Sequence, residues 1–234
     1  TGCQWKNINI PLNVDGSPKM HYTRIFRVFQ YWVEAGCFKK IFMNSVAKLF
    51  EANILKLDVI HGDGTSSVAK KGGDNIGRNG HKHHKGDKVV AFCDRDRNVL
   101  APFEAAPGNK HEGPLLSGAL KKLLETAKEL GINIKNSIIS LDSAYDSREN
   151  RKVIFNQEMK PNIKENPRNR KSPKGRKKYY SEEVYKERFE TIERVFAWED
   201  KFRKLVIRYE VKSIHHYAFK LMGYTCINLR HFCS

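Results

Sequence analysis

The chain has 234 residues, of which 40% are hydrophobic and 11% aromatic, and its formal net charge is +17 at pH 7. This length and apolar content allow one substantial core with a smaller appended unit. The excess of positive charge indicates a polyanionic partner and points to nucleic acid, although such charge also favours solubility alone. Composition therefore leaves open a basic protein that binds no nucleic acid.

Two further classes are disfavoured by the apolar pattern and the cysteines. No apolar stretch approaches the ~20 residues that cross a bilayer, so we expect no membrane partner. The cysteines contain no C-x-x-C, which argues against a disulfide framework or a zinc ribbon. They are Cys3, Cys37, Cys93, Cys226 and Cys233. We expect a soluble, intracellular protein, and because the chain starts at Thr1 without Met, we expect that an upstream segment has been removed.

Residues 1–52 are predicted to form an N-terminal helical segment. Ile25, Phe29 and Trp32 recur at helical spacing, and Gly36 interrupts the pattern before a second helix. The pair could enter a DNA groove, but its aromatic stripe favours a packed helical appendage.

Residues 53–234 are predicted to form an α/β domain with a mixed sheet flanked by helices. The periodicity predicts strands at 57–60, 88–93, 99–105, 137–141 and 161–163, and helices at 115–130, 147–159, 181–202 and 215–232. Residues 70–86 are polar and rich in Gly and His, so we expect a loop there.

A basic loop is predicted between residues 160 and 178. Its candidate DNA-binding residues are Lys164, Arg168, Arg170, Lys171, Lys174, Arg176, Lys177 and Lys178. The segment could be a solvated run of charge, but its position near a predicted active site favours contact with backbone phosphates. Arg194 and Lys201, on the following helix, are further candidates for DNA binding.

Three acidic residues carry the most information: Asp63, Asp142 and Glu193. Asp63 follows a predicted strand, Asp142 ends another, and Glu193 lies on a late helix, which is the order in which a ribonuclease H-like domain collects its acids. Carboxylates in this number suit Mg²⁺ or Mn²⁺, and two such ions about 3.5–4 Å apart can catalyse phosphodiester hydrolysis or transfer.

Local interpretations of the same acids remain open. Asp63 also suits a plain turn, and Asp142 could cap a helix. Glu193 shares a stripe with Phe189, Phe196 and Asp200, which is predicted to face the body of the protein, and Arg188 or Arg194 could pair with it for purely structural reasons.

A histidine cluster in the polar loop, His81, His83 and His84, raises the possibility of a zinc site. Without cysteines or a second pair of histidines at suitable spacing, a polar basic loop is the favoured interpretation.

Six motifs, in order along nearly the whole chain, resemble those of bacterial and archaeal insertion-sequence transposases of the DDE class, in the insertion-sequence four/five-like group. They begin at Asp63-Gly64-Thr65, Ala69-Lys70-Lys71, Gly80-His81-Lys82, Leu141-Asp142-Ser143, Pro161-Asn162-Ile163 and Glu193-Arg194-Val195. The resemblance implies that Asp63, Asp142 and Glu193 bind the catalytic metals. It also implies that the partner is double-stranded DNA, both as terminal inverted repeats and as target. The active state is then expected to be a homodimer that works in the cytoplasm at the nucleoid.

The wider group is described by a Y-x2-R-x3-E-x6-K signature, from which this chain departs. Tyr185 and Arg188 keep the first spacing, but Glu193 lies one residue late and Lys201 follows one residue after the position expected for Lys. Glu190 is the alternative third acid. Glu112 resembles a family position that usually carries Asp, and no catalytic role is assigned to it.

Two rival functions remain open. The chain could be a metal-dependent nuclease that hydrolyses DNA without joining it, or a truncated or inactive remnant that only binds DNA.

Overall fold

The computed structural model describes residues 2–80, 83–166 and 178–233. Its first helices are α1 (Tyr22–Glu34) and α2 (Cys37–Glu51), as the apolar spacing predicted. Gly36 separates them with a φ of 70°, a left-handed conformation that glycine adopts without steric cost. Phe42, Met43 and Val46 of α2 belong to the main core, so the second helix is packed into the same core as the sheet.

Seven strands form the sheet in the part of the chain that the structure describes. They are β1 (Val59–Ala69), β2 (Gly77–Asn79), β3 (His84–Asp94), β4 (Glu104–Pro107), β5 (Ile138–Leu141), β6 (Lys160–Ile163) and β7 (Ile207–Arg208). β3 pairs antiparallel with β1, β2 and β4, whereas β5 and β6 extend the sheet in parallel from the other side of β1. This arrangement confirms the predicted mixed sheet of ribonuclease H-like topology.

Helices flank the sheet. They are α3 (Leu115–Glu129), α4 (Arg148–Phe155), α5 (Glu182–Glu187), α6 (Ile192–Glu199), α7 (Arg203–Val206) and α8 (Ser213–Leu229). Leu116, Leu120 and Leu123 of α3 are buried in the core, and Gly131 after its end has a φ of 67°, as expected of a C-terminal stop. Ser147 caps α4, because its Oγ accepts a hydrogen bond from the backbone N of Asn150 at 3.0 Å.

Three predicted elements differ in extent. β1 continues to Ala69, so Asp63 lies inside the strand. In the predicted loop at 70–86, Gly77–Asn79 forms β2 and His84 begins β3. The second strand of the predicted hairpin, 99–105, is displaced to β4 at Glu104–Pro107, and Val99 forms only an isolated bridge with Cys93.

The prediction of a single long helix over 181–202 was wrong. A 3-10 turn at Arg188–Glu190 follows α5, and Thr191 leaves helical geometry with φ −111° and ψ −88° before α6 begins. After the break, Ile192, Val195 and Glu199 form the buried face of α6.

None of the helices in the described part of the chain is long and apolar enough to cross a bilayer.

Candidate active site at the edge of the sheet

Asp63 and Asp142 come together through the pairing of two parallel strands. In the register of β1 and β5, His61 lies opposite Ser140. Continued by two residues, this register directs Asp63 and Asp142 towards each other, and the charge of Asp142 acts on Asp63. β5 ends at Leu141, and β7 pairs with β1 only from Val68 onwards. Among the described strands, the edge of β1 between them has no partner on this side, which leaves room for side chains to meet there.

The Asp63 carboxylate is held on both of its oxygens. Oδ1 accepts a hydrogen bond from the backbone N of Gly64 at 2.7 Å, and Oδ2 accepts one from Nη2 of Arg188, also at 2.7 Å. Burial raises the pKa of Asp63 to about 6, against the lowering effects of the Arg188 charge and the Gly64 hydrogen bond. The negative charges of Glu112 and Asp142 raise it further, so this carboxylate lies in a crowded anionic site.

Asp142 lies directly after β5 and is partly exposed. Its Oδ1 accepts hydrogen bonds from the backbone N of Ser143 at 2.6 Å and from the hydroxyl of Tyr185 at 3.0 Å. Burial raises the pKa of Tyr185 to about 12, and the Asp142 charge adds to this effect. Tyr185 therefore stays protonated at neutral pH and remains a donor to Asp142, which also serves as the cap of the short turn that follows.

The segment from α5 through the 3-10 turn covers the two aspartates. Successive residues reach across the sheet edge, because Val184 O accepts from Ser140 Oγ at 3.4 Å, Tyr185 meets Asp142, and Arg188 meets Asp63. Arg188 is 2% exposed and also lies over the ring of Tyr185 at 5.4 Å.

Glu187 fixes this segment from the other side. Arg95 donates two hydrogen bonds to its carboxylate, at 2.9 and 2.7 Å, and this pairing lowers the pKa of Glu187. Nε2 of the buried His61 lies 3.5 Å from the same carboxylate. Burial lowers the pKa of His61 to about 4, so its ring is neutral at pH 7.

Glu193 does not face the body of the protein, as the predicted stripe required. It lies in the first turn of α6 with an exposed side chain, and Phe189 and Asp200 of the same stripe are exposed as well. The buried side of the segment is formed instead by Arg188, Ile192 and Val195, each of which lies one position before a residue of the predicted stripe. The structure thus brings Asp63 and Asp142 together and leaves Glu193 at the surface of the covering segment.

Sequence reasoning missed three neighbours of the aspartates: Glu112, Tyr145 and the buried guanidinium of Arg188. A Cβ built on Gly64 would lie 2.6 Å from Cδ of Glu112, so the Glu112 carboxylate is packed against β1 at Gly64, and its charge acts on the neighbouring Asp63. Tyr145 is fully buried after Asp142. The signature containing Arg188 and the family position at Glu112 were usable signals, whereas Tyr145 was not singled out.

The described part of the basic loop lies next to the site. Nζ of Lys164 lies over the ring of Tyr185 at 5.3 Å, and Lys178 forms ion pairs with Asp146 and Glu165 at 3.7 and 3.4 Å. Arg194 and Lys201 are exposed on and just after α6. Six predicted DNA-binding residues lie outside the described residues: Arg168, Arg170, Lys171, Lys174, Arg176 and Lys177.

The donor chemistry fits a hard divalent cation. Carboxylate oxygens are the ligands that Mg²⁺ and Mn²⁺ prefer, and the crowding that raises the pKa of Asp63 would be relieved by a positive charge. Within residues 2–80, 83–166 and 178–233, however, no three His, Cys, Asp or Glu side chains are arranged to hold one ion. Arg188 instead neutralises Asp63. In the histidine cluster, His83 and His84 lie at the start of β3, and His81 is outside the described residues.

Residues 56–226, which include both aspartates, Glu193 and the covering segment, match the transposase DDE domain family. The chain belongs to this family. The DDE domain match spans most of the chain and leaves the N-terminal helices outside it. No curated protein matches the sequence.

Solved structures resemble this DDE domain only distantly. The Mos1 transposase paired-end complex with left transposon end aligns with a TM-score of 0.34 and 11% identity, over 81% of this chain and 62% of that chain. The catalytic domain of Mos1 mariner transposase also aligns with a TM-score of 0.34 and 11% identity, over 80% of this chain and 91% of that chain. A Mos1 mariner paired-end complex with Mn aligns with a TM-score of 0.33 and 11% identity, over 82% of this chain and 62% of that chain. The chain spans about three fifths of the Mos1 chain in the paired-end complexes, and at this similarity these structures add no detail to the site.

Proposed function

We propose that this chain is the catalytic part of a DNA transposase of the insertion-sequence four/five-like group, which cleaves at transposon ends and joins them to target DNA. The observation that carries the proposal is the placement of Asp63 beside Asp142 at an open sheet edge, within a chain whose family match includes both residues. Residues 53–234 form the catalytic domain in this proposal, and residues 1–52 form a helical segment before it.

Asp63, Asp142 and Glu193 are the proposed catalytic carboxylates, and they would hold Mg²⁺ or Mn²⁺, as two ions. When bound, such ions activate a water or a 3′-hydroxyl and stabilise the leaving oxygen of the phosphodiester. The contacts of Asp63 with Arg188 and of Asp142 with Tyr185, two residues of one covering segment, support this role for the aspartates. Glu193 is exposed in the first turn of α6 and would complete the site from that segment. Tyr185 orients Asp142 through its hydroxyl, and Arg188 balances the charge of Asp63.

Double-stranded DNA is the proposed partner, both as terminal inverted repeats and as target. The net charge of +17 supports a phosphate-binding surface, and Lys164 places a positive charge over Tyr185, next to Asp142. Lys178, Arg194, Lys201 and the basic residues between 167 and 177 would extend this surface. We propose that the active state is a homodimer and that it works in the cytoplasm at the nucleoid.

The test is cleavage and joining of a labelled DNA that carries the terminal repeats of the element, in Mg²⁺ or Mn²⁺. Three variants are compared with the unchanged chain: Asp142→Asn, Glu193→Gln and the control Glu149→Gln. Glu149 is matched to Glu193, because it is also an exposed glutamate in the first turn of a helix. We expect joined products from the unchanged chain and from Glu149→Gln, and none from Asp142→Asn or Glu193→Gln.

Other outcomes separate the rival functions. Cleavage without joined products would make the chain a nuclease. Salt-sensitive DNA binding without metal-dependent cleavage would make it a DNA-binding remnant. Full activity of Glu193→Gln with loss in Asp142→Asn would keep the transposase and remove Glu193 from the site.

A further inference from the structure

A groove of about 760 Å³ lies between the start of the chain and the end of the sheet. It is lined by residues 2–6, by α1, and by the connection from β7 to α8. We call it the aromatic groove, because five of its lining residues are aromatic: Trp5, Tyr22, Phe26, Phe29 and Tyr209. Its volume is in the range of sites that hold small organic groups, such as a nucleotide.

Several of these rings are open to the groove. The ring of Trp5 packs against Phe26 and Phe29, with centroids 5.1 Å away in each case, yet Trp5 and Phe26 stay partly exposed. Tyr209 is 49% exposed and makes no ring contact with another aromatic residue in the described part of the chain. Exposed ring faces of this kind are platforms on which nucleobases stack.

The charge of the groove favours an anion. Four of its lining residues are lysines, and Glu210 is the single acidic one among those that the structure describes. Glu210 forms an ion pair with Lys204. The other lysines, Lys6, Lys71 and Lys212, are exposed and form no ion pair with any described residue. Three positive charges are thus left for a ligand.

A buried arginine fixes one wall of the groove. Arg208 is 0% exposed, and its Nη2 donates hydrogen bonds to Oδ1 of Asp74 at 3.0 Å and to the carbonyl oxygen of Val211 at 3.1 Å. The backbone N of Asp74 donates to the same carbonyl at 3.1 Å. These bonds join the segment that carries Lys71 to the one that carries Lys212, so less order has to be imposed when a ligand binds.

The groove and the aspartates share one edge of the sheet. β5 and β7 both pair with β1 on the side away from β3. From Asp63 to Ala69 the strand advances about 20 Å, a distance that DNA spans in about six base pairs. One DNA end can therefore contact the aspartates and the groove together.

We propose that the aromatic groove binds unpaired nucleotides of a DNA strand. Bases stack on Trp5 and Tyr209. Phosphates pair with Lys6, Lys71 and Lys212. Unpaired nucleotides are favoured over duplex because paired bases are covered by their neighbours, whereas aromatic platforms beside basic residues are the combination found in single-strand sites. The inference rests on the proposed function for its partner, DNA, and adds a binding site at the other end of β1.

The first test follows the fluorescence anisotropy of a labelled oligothymidylate of about 10 nucleotides with the full chain. The double variant Lys71→Ala with Lys212→Ala is compared with Lys121→Ala with Lys128→Ala, which also removes two exposed lysines. We expect the first pair to weaken binding and to reduce the slope of log affinity against log salt by about 1.4. The control pair should leave the slope unchanged.

The second test concerns the aromatic platform. Tyr209→Ala should weaken oligothymidylate binding by about fivefold or more, because one stacking surface is lost. Tyr31→Ala is the control, since Tyr31 is 67% exposed on α1 and does not line the groove. Thermal unfolding of both variants should match that of the unchanged chain, which separates lost binding from lost fold.

Tryptophan emission gives a further readout. Oligothymidylate should quench the emission of the unchanged chain, and this quenching should shrink in Trp5→Phe. Trp32→Phe should keep it, because Trp32 is half exposed on α1 outside the groove. Quenching that survives in Trp5→Phe and is lost in Trp32→Phe would place the DNA elsewhere.

Three other results would overturn the proposal. One is equal loss of affinity in the groove variants and their controls. Another is a duplex that loses as much affinity in Tyr209→Ala as the single strand does. The third is displacement of oligothymidylate by oligoglutamate of similar length, which would make the groove a site for acidic protein segments.

Asp142→Asn separates this inference from the proposed function. It should bind oligothymidylate as the unchanged chain does, while joining of transposon ends is lost. Joining by the unchanged chain without any effect of the groove variants would overturn the groove alone. Groove-dependent binding without joining by the unchanged chain would overturn the proposed function alone.

Discussion

At the scale of single residues, Asp63 has the most consequential environment. It is inside a strand, 18% exposed, and close to two other carboxylates, and Arg188 only partly offsets the cost of its charge. Its pKa of about 6 in the folded chain lies above the ordinary value of 3.8. In the metal-free protein, ionised Asp63 therefore opposes folding, which is a property expected of a residue kept for binding a cation.

Asp63→Asn should stabilise the metal-free protein more at neutral pH than in acid. Below pH 3.8 Asp63 is protonated in both states, so it contributes no cost there, whereas the cost grows as pH rises through the folded pKa of about 6. The free energy of unfolding of Asp63→Asn minus that of the unchanged chain should thus increase by up to about 3 kcal/mol between pH 4 and 7. Chemical denaturation at a series of pH values measures this difference. A difference that is flat, or that falls with pH, would contradict the account.

At the scale of elements, the close packing of side chains over β1 depends on Gly62, which has no side chain of its own. A Cβ built on Gly62 would lie 2.6 Å from Cε1 of Phe92 and 2.7 Å from Cδ2 of Leu141. Leu141 immediately precedes Asp142, so this contact lies at the end of the strand that leads to the second aspartate.

Gly62→Ala should therefore destabilise the fold by about 1–3 kcal/mol through overpacking. Gly80→Ala is the control, because no atom of the described residues lies within 4 Å of a Cβ built at that position. Urea unfolding midpoints compare the two. Equal stability of both variants would mean that Phe92 and Leu141 move aside freely and that their close packing over position 62 is not required.

Elements defined by local signals could be predicted from the sequence, and those defined by distant contacts could not. Gly36, Gly131 and the cap at Ser147 fix helix ends through their own backbone or side chain, so α1, α2, α3 and the start of α4 were found. The break after α5 has no such signal, because it depends on contacts of Arg95 with Glu187 and of Arg188 with Asp63.

The candidate site divides in the same way. Asp63 and Asp142 were predictable because each adjoins or lies in a recognisable strand, and parallel pairing brings such positions together. The surroundings of Glu193 were predicted wrongly, since the buried side of this segment is formed by Arg188, Ile192 and Val195, and Glu193 is exposed. Glu112 and Tyr145 come to the site from a turn and a short 3-10 segment, whose direction only the tertiary structure determines.

At the scale of the whole molecule, the net charge of +17 and the basic residues around the site predict strong electrostatic attraction of DNA. Lys164 is an exposed member of this surface, beside Tyr185 and Asp142. Lys121 is 77% exposed on α3 and pairs with Glu125, so it provides a cation of the same type outside the candidate surface.

Lys164→Ala should weaken DNA binding at every sequence and reduce the slope of log affinity against log salt by about 1. Lys121→Ala should leave both unchanged. Fluorescence anisotropy of a labelled duplex between low and physiological salt measures the slopes. If the two variants lose affinity equally, attraction by net charge alone explains the binding, and the surface next to the aspartates has no particular role.

The most direct test of the central claim, that the carboxylates at the sheet edge hold divalent cations against the scissile phosphate, is a metal-rescue measurement. The DNA end carries sulfur in place of one non-bridging oxygen at the scissile phosphate, and joining is timed in Mg²⁺ and in Mn²⁺. Mn²⁺ accepts sulfur as a ligand more readily than Mg²⁺. Our account predicts that sulfur slows joining in Mg²⁺ and that Mn²⁺ restores it, whereas equal slowing in both ions would contradict direct contact between a bound cation and the phosphate.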